Sequence, residues 1–350
     1  MKILNTIDSL NIGGAEKMSI NIVNTINKYY KSDLLVFRNS KNSMIDFIND
    51  DVNVILFKKR RFFDYKYFLK YRQLVIENNY NLIHAHSSTI IWAILIKLSG
   101  IDVKVLWHDH YGKSNFDSGF LRKIIKYFSN KIDYSISVNS NLHEWSKKHF
   151  KKTQKSFINN FPLLKVHNSN ISRTNDLVLL ANFREQKDHI TFLKAISNLK
   201  IKMNCTPNFF LIGAFIDSDY VDRVKKFLIQ NDLVHQCKFF GPTHSVNEKL
   251  SMSLIGVLSS KSEGLPVSLL EYGICGLLPI TSDVGECKNV VGKCGFVFEP
   301  GDFRELSNII YNALKNKSRM IDLAKCFSSK VEENYGPENF KYKYFRLLNL

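Results

Sequence analysis

Short apolar runs alternate along the chain with longer stretches in which apolar residues recur every three to four positions. The runs predict buried strands, and the three-to-four spacing predicts amphipathic helices. In the first half the predicted strands are Lys2–Ile7, Leu34–Phe37, Val52–Phe57, Leu82–His86, Val103–Trp107, Tyr134–Val138 and Ser156–Ile158. Helical stretches such as Ile90–Leu98 and Leu142–Phe150 separate them. Strands that alternate with helices predict an α/β fold with a parallel sheet covered on both faces.

The alternation is interrupted once, by the polar, aperiodic segment Lys165–Asp176, which we interpret as a linker. It then resumes with predicted strands at Leu177–Leu180, Phe209–Gly213, Lys238–Gly241, Leu254–Leu258, Leu278–Ser282 and Gly295–Phe298. A length of 350 residues suits two domains of ordinary size. We therefore predict two α/β domains, residues 1–168 and 169–332, followed by an aromatic-rich helix from about 333 to 350.

The stretch Glu263–Gly276 carries the most specific chemical pattern. It follows a predicted strand, places Pro266 where a first helical residue is expected, and places Gly276 where a helix should end. The free N–H groups at a helix start favour an anion. Glu263 and Glu271 would repel a phosphate but can accept hydrogen bonds from hydroxyl groups of a sugar or ribose. Phosphate and hydroxyl groups together indicate a nucleotide sugar.

Arg184 and Lys187 follow the first predicted strand of the second domain. Ligands of open α/β sheets bind beyond the carboxyl ends of the strands, and a helix start would otherwise favour acidic residues. Two cations at this place suit a diphosphate leaving group, whose growing negative charge they would stabilise.

Histidines end two neighbouring predicted strands of the first domain, in His84-Ala85-His86 and His108-Asp109-His110. Each His-x-His pair could bind a metal ion, because alternate strand residues share a face. A supporting carboxylate or third histidine at the usual motif spacing is missing, so structural histidines explain His84 at least as well. Asp217-Ser218-Asp219 precedes a predicted helix and is interpreted as its N-cap. We therefore predict no metal site.

Several of these segments resemble glycosyltransferase family 4, the group 1 glycosyltransferases. The resemblance lies in G-G-A-E at 13–16, His108, Arg184 with Lys187, S-E-G-L-P-x-x-L-L-E at 262–271, and Gly301-Asp302. It implies the GT-B fold, two Rossmann-like parallel-sheet domains facing across a cleft, with the C-terminal helix packed on the first domain. The sequence departs from the family pattern at Val284–Cys287, which lacks a second glycine, and at Phe161-Pro162 after Asn160.

The resemblance implies a retaining glycosyltransferase that uses a nucleoside diphosphate sugar, with a UDP-sugar as the expected donor and no cofactor or metal. Four residues are assigned to catalysis: His108, Glu263, Arg184 and Lys187. Donor binding is assigned to Gly13, Gly14, Arg184, Lys187, Glu263, Gly264, Leu265, Pro266 and Glu271. Glu16, His86 and His110 are assigned to the acceptor side, and His110 competes with His108 for the position facing the donor sugar.

The formal charge of +17 concentrates in clusters that mix basic and aromatic residues, at Lys58–Phe68, Arg122–Phe128 and Lys147–Lys152. Such clusters fit an anionic membrane surface, and a merely solvated basic face explains them equally well. Apolar runs are too short to span a bilayer, and the N-terminus lacks the apolar run of a signal peptide. We expect a cytoplasmic protein at the inner membrane face, with a lipid-linked or saccharide acceptor in surface polysaccharide or lipopolysaccharide synthesis.

Two alternative functions stay open at this point. A GT-B nucleotide-sugar epimerase of the UDP-GlcNAc 2-epimerase type would turn over without an acceptor. A non-catalytic basic protein would bind nucleotides or nucleic acid, although no nucleic-acid partner is expected. The six cysteines form no C-x-x-C pair and are predicted to be buried, reduced thiols.

Overall fold

The computed structural model describes residues 1–11, 13–38, 44–58, 64–110, 119–162, 177–203, 206–241 and 246–350. The chain folds as two compact units. Unit 1 comprises Met1–Phe161 with Pro337–Leu350, and unit 2 comprises Pro162–Gly336. The predicted linker Lys165–Asp176 and the predicted boundary at 168/169 lie outside the described residues.

Unit 1 contains a seven-stranded parallel sheet in the order β3-β2-β1-β4-β5-β6-β7. Its strands are β1 (Lys2–Ile7), β2 (Lys31–Val36), β3 (Val54–Leu56), β4 (Leu82–His86), β5 (Lys104–Asp109), β6 (Tyr134–Ser137) and β7 (Gln154–Phe157). β2 begins three residues before its prediction, because Ser32 and Asp33 are polar yet buried. Asn5 donates to the Ser32 hydroxyl at 2.7 Å, which satisfies a polar group that an apolar pattern cannot reveal.

Helices cover both faces of this sheet. They are α1 (Gly14–Ile26), α2 (Tyr65–Glu77), α3 (Ile90–Leu98), α4 (Phe120–Tyr127), α5 (Ser140–His149) and, at the C-terminus, α13 (Pro337–Leu348). The last helix begins at Pro337 rather than near residue 333, because Gly336 is extended and ends the preceding helix. Phe340 and Tyr344 of α13 are buried in the same apolar cluster as Ile3 and Leu106. The C-terminal segment is therefore part of the core of unit 1.

Unit 2 contains a six-stranded parallel sheet in the order β10-β9-β8-β11-β12-β13. Its strands are β8 (Leu177–Leu180), β9 (Phe209–Ile212), β10 (Cys237–Phe240), β11 (Ile255–Leu258), β12 (Leu278–Ser282) and β13 (Phe296–Phe298). All six predicted strands are confirmed within about one residue. The four central strands β8, β9, β11 and β12 are apolar runs that are almost wholly buried, whereas the edge strands β10 and β13 are partly exposed. The helices are α6 (His189–Met203), α7 (Ser218–Gln230), α8 (Val246–Met252), α9 (Val267–Ile274), α10 (Cys287–Val291), α11 (Phe303–Lys315) and α12 (Lys317–Tyr335).

Two local predictions in unit 2 are confirmed and one is wrong. Asp217 caps α7 by accepting from the Tyr220 N–H, and Gly276 ends α9 with a φ of +66°. The prediction of six reduced thiols is wrong, since Cys294 and Cys326 form a disulfide. Residues 32 apart in sequence meet where α12 packs beside β12, a contact that cysteine spacing alone does not predict.

Helices of the described residues are either too short or too polar to cross a bilayer.

Candidate functional site

In unit 2 the order in which successive strands join the sheet reverses between β8 and β11. These two strands are neighbours in space but not in sequence. The crevice beyond the carboxyl ends of strands at such a point is where α/β folds bind ligands. Arg184 and Lys187 follow β8, and Glu263 follows β11. The fold therefore brings two of the predicted site segments to this one edge of the sheet.

Lys187, Ser260 and Glu263 form what we call the switch-point cluster. Lys187 Nζ lies 2.6 Å from Glu263 Oε1, and the Ser260 hydroxyl donates to the same oxygen at 2.6 Å. The Glu263 side chain is 8% exposed and that of Lys187 is 24% exposed. Glu263 Oε2 makes no hydrogen bond to the described residues, so the buried carboxylate is fixed in place with one oxygen available.

Arg184 differs from Lys187 in its surroundings. Its backbone is extended, and it immediately precedes a 3-10 turn at Glu185–Lys187. The side chain is exposed and forms no ion pair or hydrogen bond with the part of the chain that the structure describes. An exposed guanidinium without an internal carboxylate partner is available for bidentate binding of a phosphate.

Several residues that the sequence analysis did not identify tie the turn after β8 to the loop after β11. The Lys261 N–H donates to the Gln186 carbonyl at 2.8 Å, and the Gln186 amide donates to the Ser262 carbonyl at 2.6 Å. The Ser259 hydroxyl donates to the Asp188 carbonyl at 2.9 Å. These hydrogen bonds fix the two loops to each other. Ser and Gln in an irregular loop carry no periodic signal, so only the three-dimensional structure reveals them.

The segment from Gly264 to Pro266 leads into α9. Leu265 is buried. The sequence predicted Pro266 as the first residue of the helix, whereas the structure shows it as the N-cap. Pro266 has ψ of 119°, which is extended backbone and explains the difference of one residue. Glu271 lies within α9 and is 2% exposed. The structure thus places both predicted glutamates in the interior of unit 2.

Tyr272 fixes the point at which β8 and β11 diverge. The two strands pair over only two residues of each strand. Beyond that pairing the Tyr272 hydroxyl accepts from the Leu180 N–H at 2.8 Å and donates to the Val257 carbonyl at 3.0 Å. It therefore bridges the backbones of both strands just before the switch-point cluster.

Gly285 lies in the loop that departs from the family pattern, and it has a φ of +55°. A Cβ atom at this position would overlap the carbonyl oxygens of Glu263 and Gly264. The next N–H, that of Glu286, donates to the Gly264 carbonyl at 3.0 Å. A single glycine here permits the close approach of the two loops that shapes the start of α9.

In unit 1 the order of successive strands reverses in the same way, between β1 and β4. Gly13 is the extended N-cap of α1, Gly14 is its first residue, and Glu16 lies in its first turn. A Cβ at Gly14 would meet no atom of the described residues within 4 Å, so this backbone leaves room for a ligand. His86 ends β4 at the same edge. The structure thus brings the predicted glycine loop and the predicted acceptor-side histidine to one edge of this sheet.

His84, His86, His108 and His110 form a compact histidine cluster on β4, on β5 and directly after β5. They make two hydrogen-bonded pairs: His84 Nε2 to His108 Nδ1 at 3.2 Å, and His86 Nδ1 to His110 Nε2 at 2.9 Å. The pairs stack, with ring centroids 4.4 Å apart for His84 and His86 and 4.1 Å for His108 and His110. His108 is fully buried, whereas His110 is partly exposed.

Burial lowers the pKa of His84 and of His110 to about 3 and lowers the pKa of His86 and of His108 well below the ordinary value. Neighbouring histidines lower the pKa of His84, of His86 and of His108 further, since a positive charge on one ring disfavours a second charge nearby. All four rings are therefore neutral near pH 7.

Comparisons with known proteins agree with this architecture. Residues 12–160 match the family described as Glycosyltransferase Family 4, and residues 161–330 match the one described as Glycosyl transferases group 1. A relative from Staphylococcus aureus, the capsular polysaccharide biosynthesis glycosyltransferase CapH, is 22% identical over 302 residues, covering 83% of each chain.

Solved structures of similar fold include HepE from Anabaena in complex with UDP and glucose, with a TM-score of 0.84 and 17% identity. The similarity covers 100% of this chain and 99% of that one. Sucrose-phosphate synthase from Thermosynechococcus elongatus gives a TM-score of 0.78 at 14% identity, covering 100% of this chain and 98% of that one. The two parallel sheets and the two family matches lead to one assignment: the chain belongs to the group 1 glycosyltransferases of the family 4 type, has the GT-B fold, and is a transferase.

Proposed function

We propose that unit 2 binds a UDP-sugar and that the enzyme transfers the sugar, with retained anomeric configuration, to a saccharide or lipid-linked acceptor. The observation that carries this proposal is the switch-point cluster, a buried carboxylate fixed by Lys187 and Ser260 beside the exposed Arg184. HepE, whose fold is similar, has been solved with UDP and with UDP-glucose, which supports uridine as the nucleoside of the sugar donor. CapH acts in capsular polysaccharide biosynthesis, which supports surface polysaccharide or lipopolysaccharide assembly as the setting.

The chemistry follows from these side chains. Arg184 binds the diphosphate bidentately, and Lys187 contributes a positive charge beside it. Glu263 keeps Oε2 available to accept from a sugar hydroxyl, while Glu271 is assigned to the ribose. The bond from the anomeric carbon to the diphosphate oxygen breaks, and both cations stabilise the negative charge that develops there.

The acceptor oxygen then bonds to the anomeric carbon from the same face. Its proton passes to the departing diphosphate oxygen, so no covalent intermediate on the enzyme is needed. Unit 1 is assigned to the acceptor, through Gly13, Gly14 and Glu16. His86, grouped with them from the sequence, is fully buried and pairs with His110, so it would act on the acceptor only through that ring. Of the two histidines at the end of β5, His110 is partly exposed and the better placed to contact substrate, with His108 supporting it by stacking.

A transfer assay with UDP-sugars and a saccharide acceptor tests the reaction. We expect the product NMR spectrum to show the anomeric configuration of the donor, and we expect activity to persist in EDTA. Inversion would contradict front-side attack, and a loss of activity that Mg2+ restores would contradict charge stabilisation by Arg184 and Lys187 alone. Turnover of the UDP-sugar to an isomer without acceptor would instead indicate an epimerase.

Membrane contact is proposed for α4, whose outer face carries Phe120 and Tyr127, 79% and 80% exposed, with the exposed Lys123 between them. Arg122, counted in the same basic cluster from the sequence, is instead buried and pairs with Asp109 at 2.6 Å. Exposed aromatic rings beside lysine fit an anionic bilayer surface. Parts of the cluster Lys58–Phe68 lie outside the described residues.

Vesicle sedimentation tests this surface. Binding to vesicles with anionic lipid should weaken as salt increases, and Phe120→Ala with Tyr127→Ala should reduce it further. No binding at any salt concentration would contradict membrane contact.

A further inference from the structure

The histidine cluster has more nitrogen donors than its internal hydrogen bonds use. Three buried ring nitrogens of the cluster, His86 Nε2, His108 Nε2 and His110 Nδ1, have no hydrogen-bond partner among the residues that the structure describes. A buried polar atom without a partner costs about 1–3 kcal/mol. The ring of His86 stacks on that of His84, so a ligand shared with the His84–His108 pair would also satisfy His86 Nε2.

The spacing of the rings suits a metal ion. One ring nitrogen from each of His84, His86 and His108 lies within 4.8 Å of one from each of the others. His84 Nε2 and His108 Nδ1 are 3.2 Å apart. Two imidazole nitrogens bound to a tetrahedral Zn2+ at about 2.0–2.1 Å would be about 3.3 Å apart. Small rotations of the rings would therefore convert one hydrogen-bonded pair into two ligands of a common ion.

The second nitrogens of the two β4 histidines are already held. Tyr344 Oη lies 3.2 Å from His84 Nδ1, and His110 Nε2 lies 2.9 Å from His86 Nδ1. Metal-binding histidines characteristically have the nitrogen that does not bind the ion fixed in this way. Both rings consequently have Nδ1 oriented, with Nε2 of His84 facing His108 Nδ1 and Nε2 of His86 without a partner among the described residues.

We propose that His84, His86 and His108 bind a divalent transition-metal ion with the ligand preference of Zn2+. Imidazole nitrogen suits Zn2+, Co2+ and Ni2+ better than Mg2+ or Ca2+. This site is separate from the diphosphate chemistry proposed for unit 2, and it joins β4 and β5 to α13 through Tyr344.

Metal titration of the untagged, metal-stripped full chain tests the site directly. We expect one equivalent of Co2+ to bind and to give the visible absorption of a tetrahedral complex, and Zn2+ to displace it and raise the Tm. X-ray absorption of the Zn2+ form should show imidazole ligands. A folded wild-type chain that binds neither ion stoichiometrically would overturn the proposal, as would sulfur ligands in the absorption spectrum.

Variants locate the ion. His86→Ala and His108→Ala should each weaken Co2+ binding at least 100-fold, whereas His143→Ala, on α5, and His189→Ala, in unit 2, should retain it. Tyr344→Phe keeps all three ligands but removes the hydroxyl that orients His84, and should weaken binding about tenfold. Equal affinity in the folded His86→Ala and wild-type chains would place the ion elsewhere and refute the assignment. If the alanine variants do not fold, the wild-type titration and spectrum still decide the question.

Discussion

Glu263 shows at the scale of single residues how a loop becomes a binding site. Its carboxylate is buried, and two donors, Lys187 and Ser260, converge on the same oxygen. A hydrogen bond to a charged group contributes about 1.5–3 kcal/mol, so the position of this side chain depends on both donors. In the proposed nucleotide-sugar site, the orientation of Oε2 is consequently set before the nucleotide sugar binds.

Ser260→Ala should reduce kcat/KM for the nucleotide sugar about tenfold, because Glu263 loses one of the two hydrogen bonds that orient it. The effect is measured by steady-state kinetics at fixed acceptor concentration. Ser262→Ala is the matched control and should be close to wild type. Ser262 lies in the same loop, and its backbone carbonyl, but not its side chain, hydrogen-bonds to the residues that the structure describes. Equal kinetics for both variants would show that Ser260 does not position Glu263.

His189 makes stability depend on pH. Its ring is buried in unit 2, stacks on Phe183, and has a pKa lowered to about 3, chiefly by burial. The unfolded chain gains a proton as the pH falls below about 6.5, whereas the folded chain does not until about pH 3. This residue therefore removes stability as the pH falls through that range.

Urea unfolding at pH 7.5 and pH 5.5 measures the effect. Between these pH values the wild type should lose about 1.4 kcal/mol more stability than His189→Gln, which cannot titrate. The same loss in both proteins would mean that His189 is not held neutral in the folded state.

At the scale of elements, loops rather than strands decide the geometry of the site. The six strands of unit 2 follow from apolar runs, and the end of α9 follows from Gly276. The approach of the 284–286 loop to Glu263 and Gly264 has no such pattern. It depends on the positive φ of Gly285 and on the Glu286 N–H bond to the Gly264 carbonyl.

Gly285→Ala should destabilise unit 2 by about 1–3 kcal/mol and weaken donor binding, because the new methyl group displaces the backbone of Glu263. Gly301→Ala is the control, since Gly301 also has positive φ but no atom of the described residues lies within 4 Å of its Cβ position. It should lose stability through backbone strain alone and bind donor normally. Equal donor affinity in the two variants would exclude a role for the loop contact in shaping the site.

The sequence predicted the elements more fully than it predicted their contacts. Arg184, Lys187 and Glu263 could be placed at one edge of the sheet because each follows a strand that an apolar run predicts. The bonds of Gln186, Ser259 and Tyr272 could not, since each depends on two segments that are distant in sequence. Buried polar residues in β2 and the pairing of Cys294 with Cys326 were missed for the same reason.

At the scale of the whole molecule, chain connectivity links segments far apart in sequence. Helix α13 returns the C-terminus to unit 1, and the disulfide joins α12 to the residues preceding β13. A disulfide that closes a loop of this length restricts the unfolded chain and stabilises by about 3–4 kcal/mol in the chain-entropy model. The stability of unit 2 should therefore depend on redox conditions.

Cys326→Ser should lower the Tm of unit 2 by several degrees, and reductant should lower the Tm of wild type toward the value of that variant. Differential scanning calorimetry with and without dithiothreitol measures both. Cys237→Ser, which changes a free cysteine, should keep the sensitivity to reductant. A wild-type Tm that is unaffected by reductant would show that the bond does not contribute to stability.

The central claim, that unit 2 binds a uridine diphosphate through Arg184 and the switch-point cluster, is tested most directly by thermal unfolding with UDP, GDP, ADP and CDP. A nucleotide at about 100 times its Kd adds about 2.7 kcal/mol of stability. We predict a rise in Tm with UDP that is lost in Arg184→Ala and retained in Arg304→Ala, an exposed arginine on α11. No rise with UDP, or an equal rise in the wild type and in Arg184→Ala, would contradict the account.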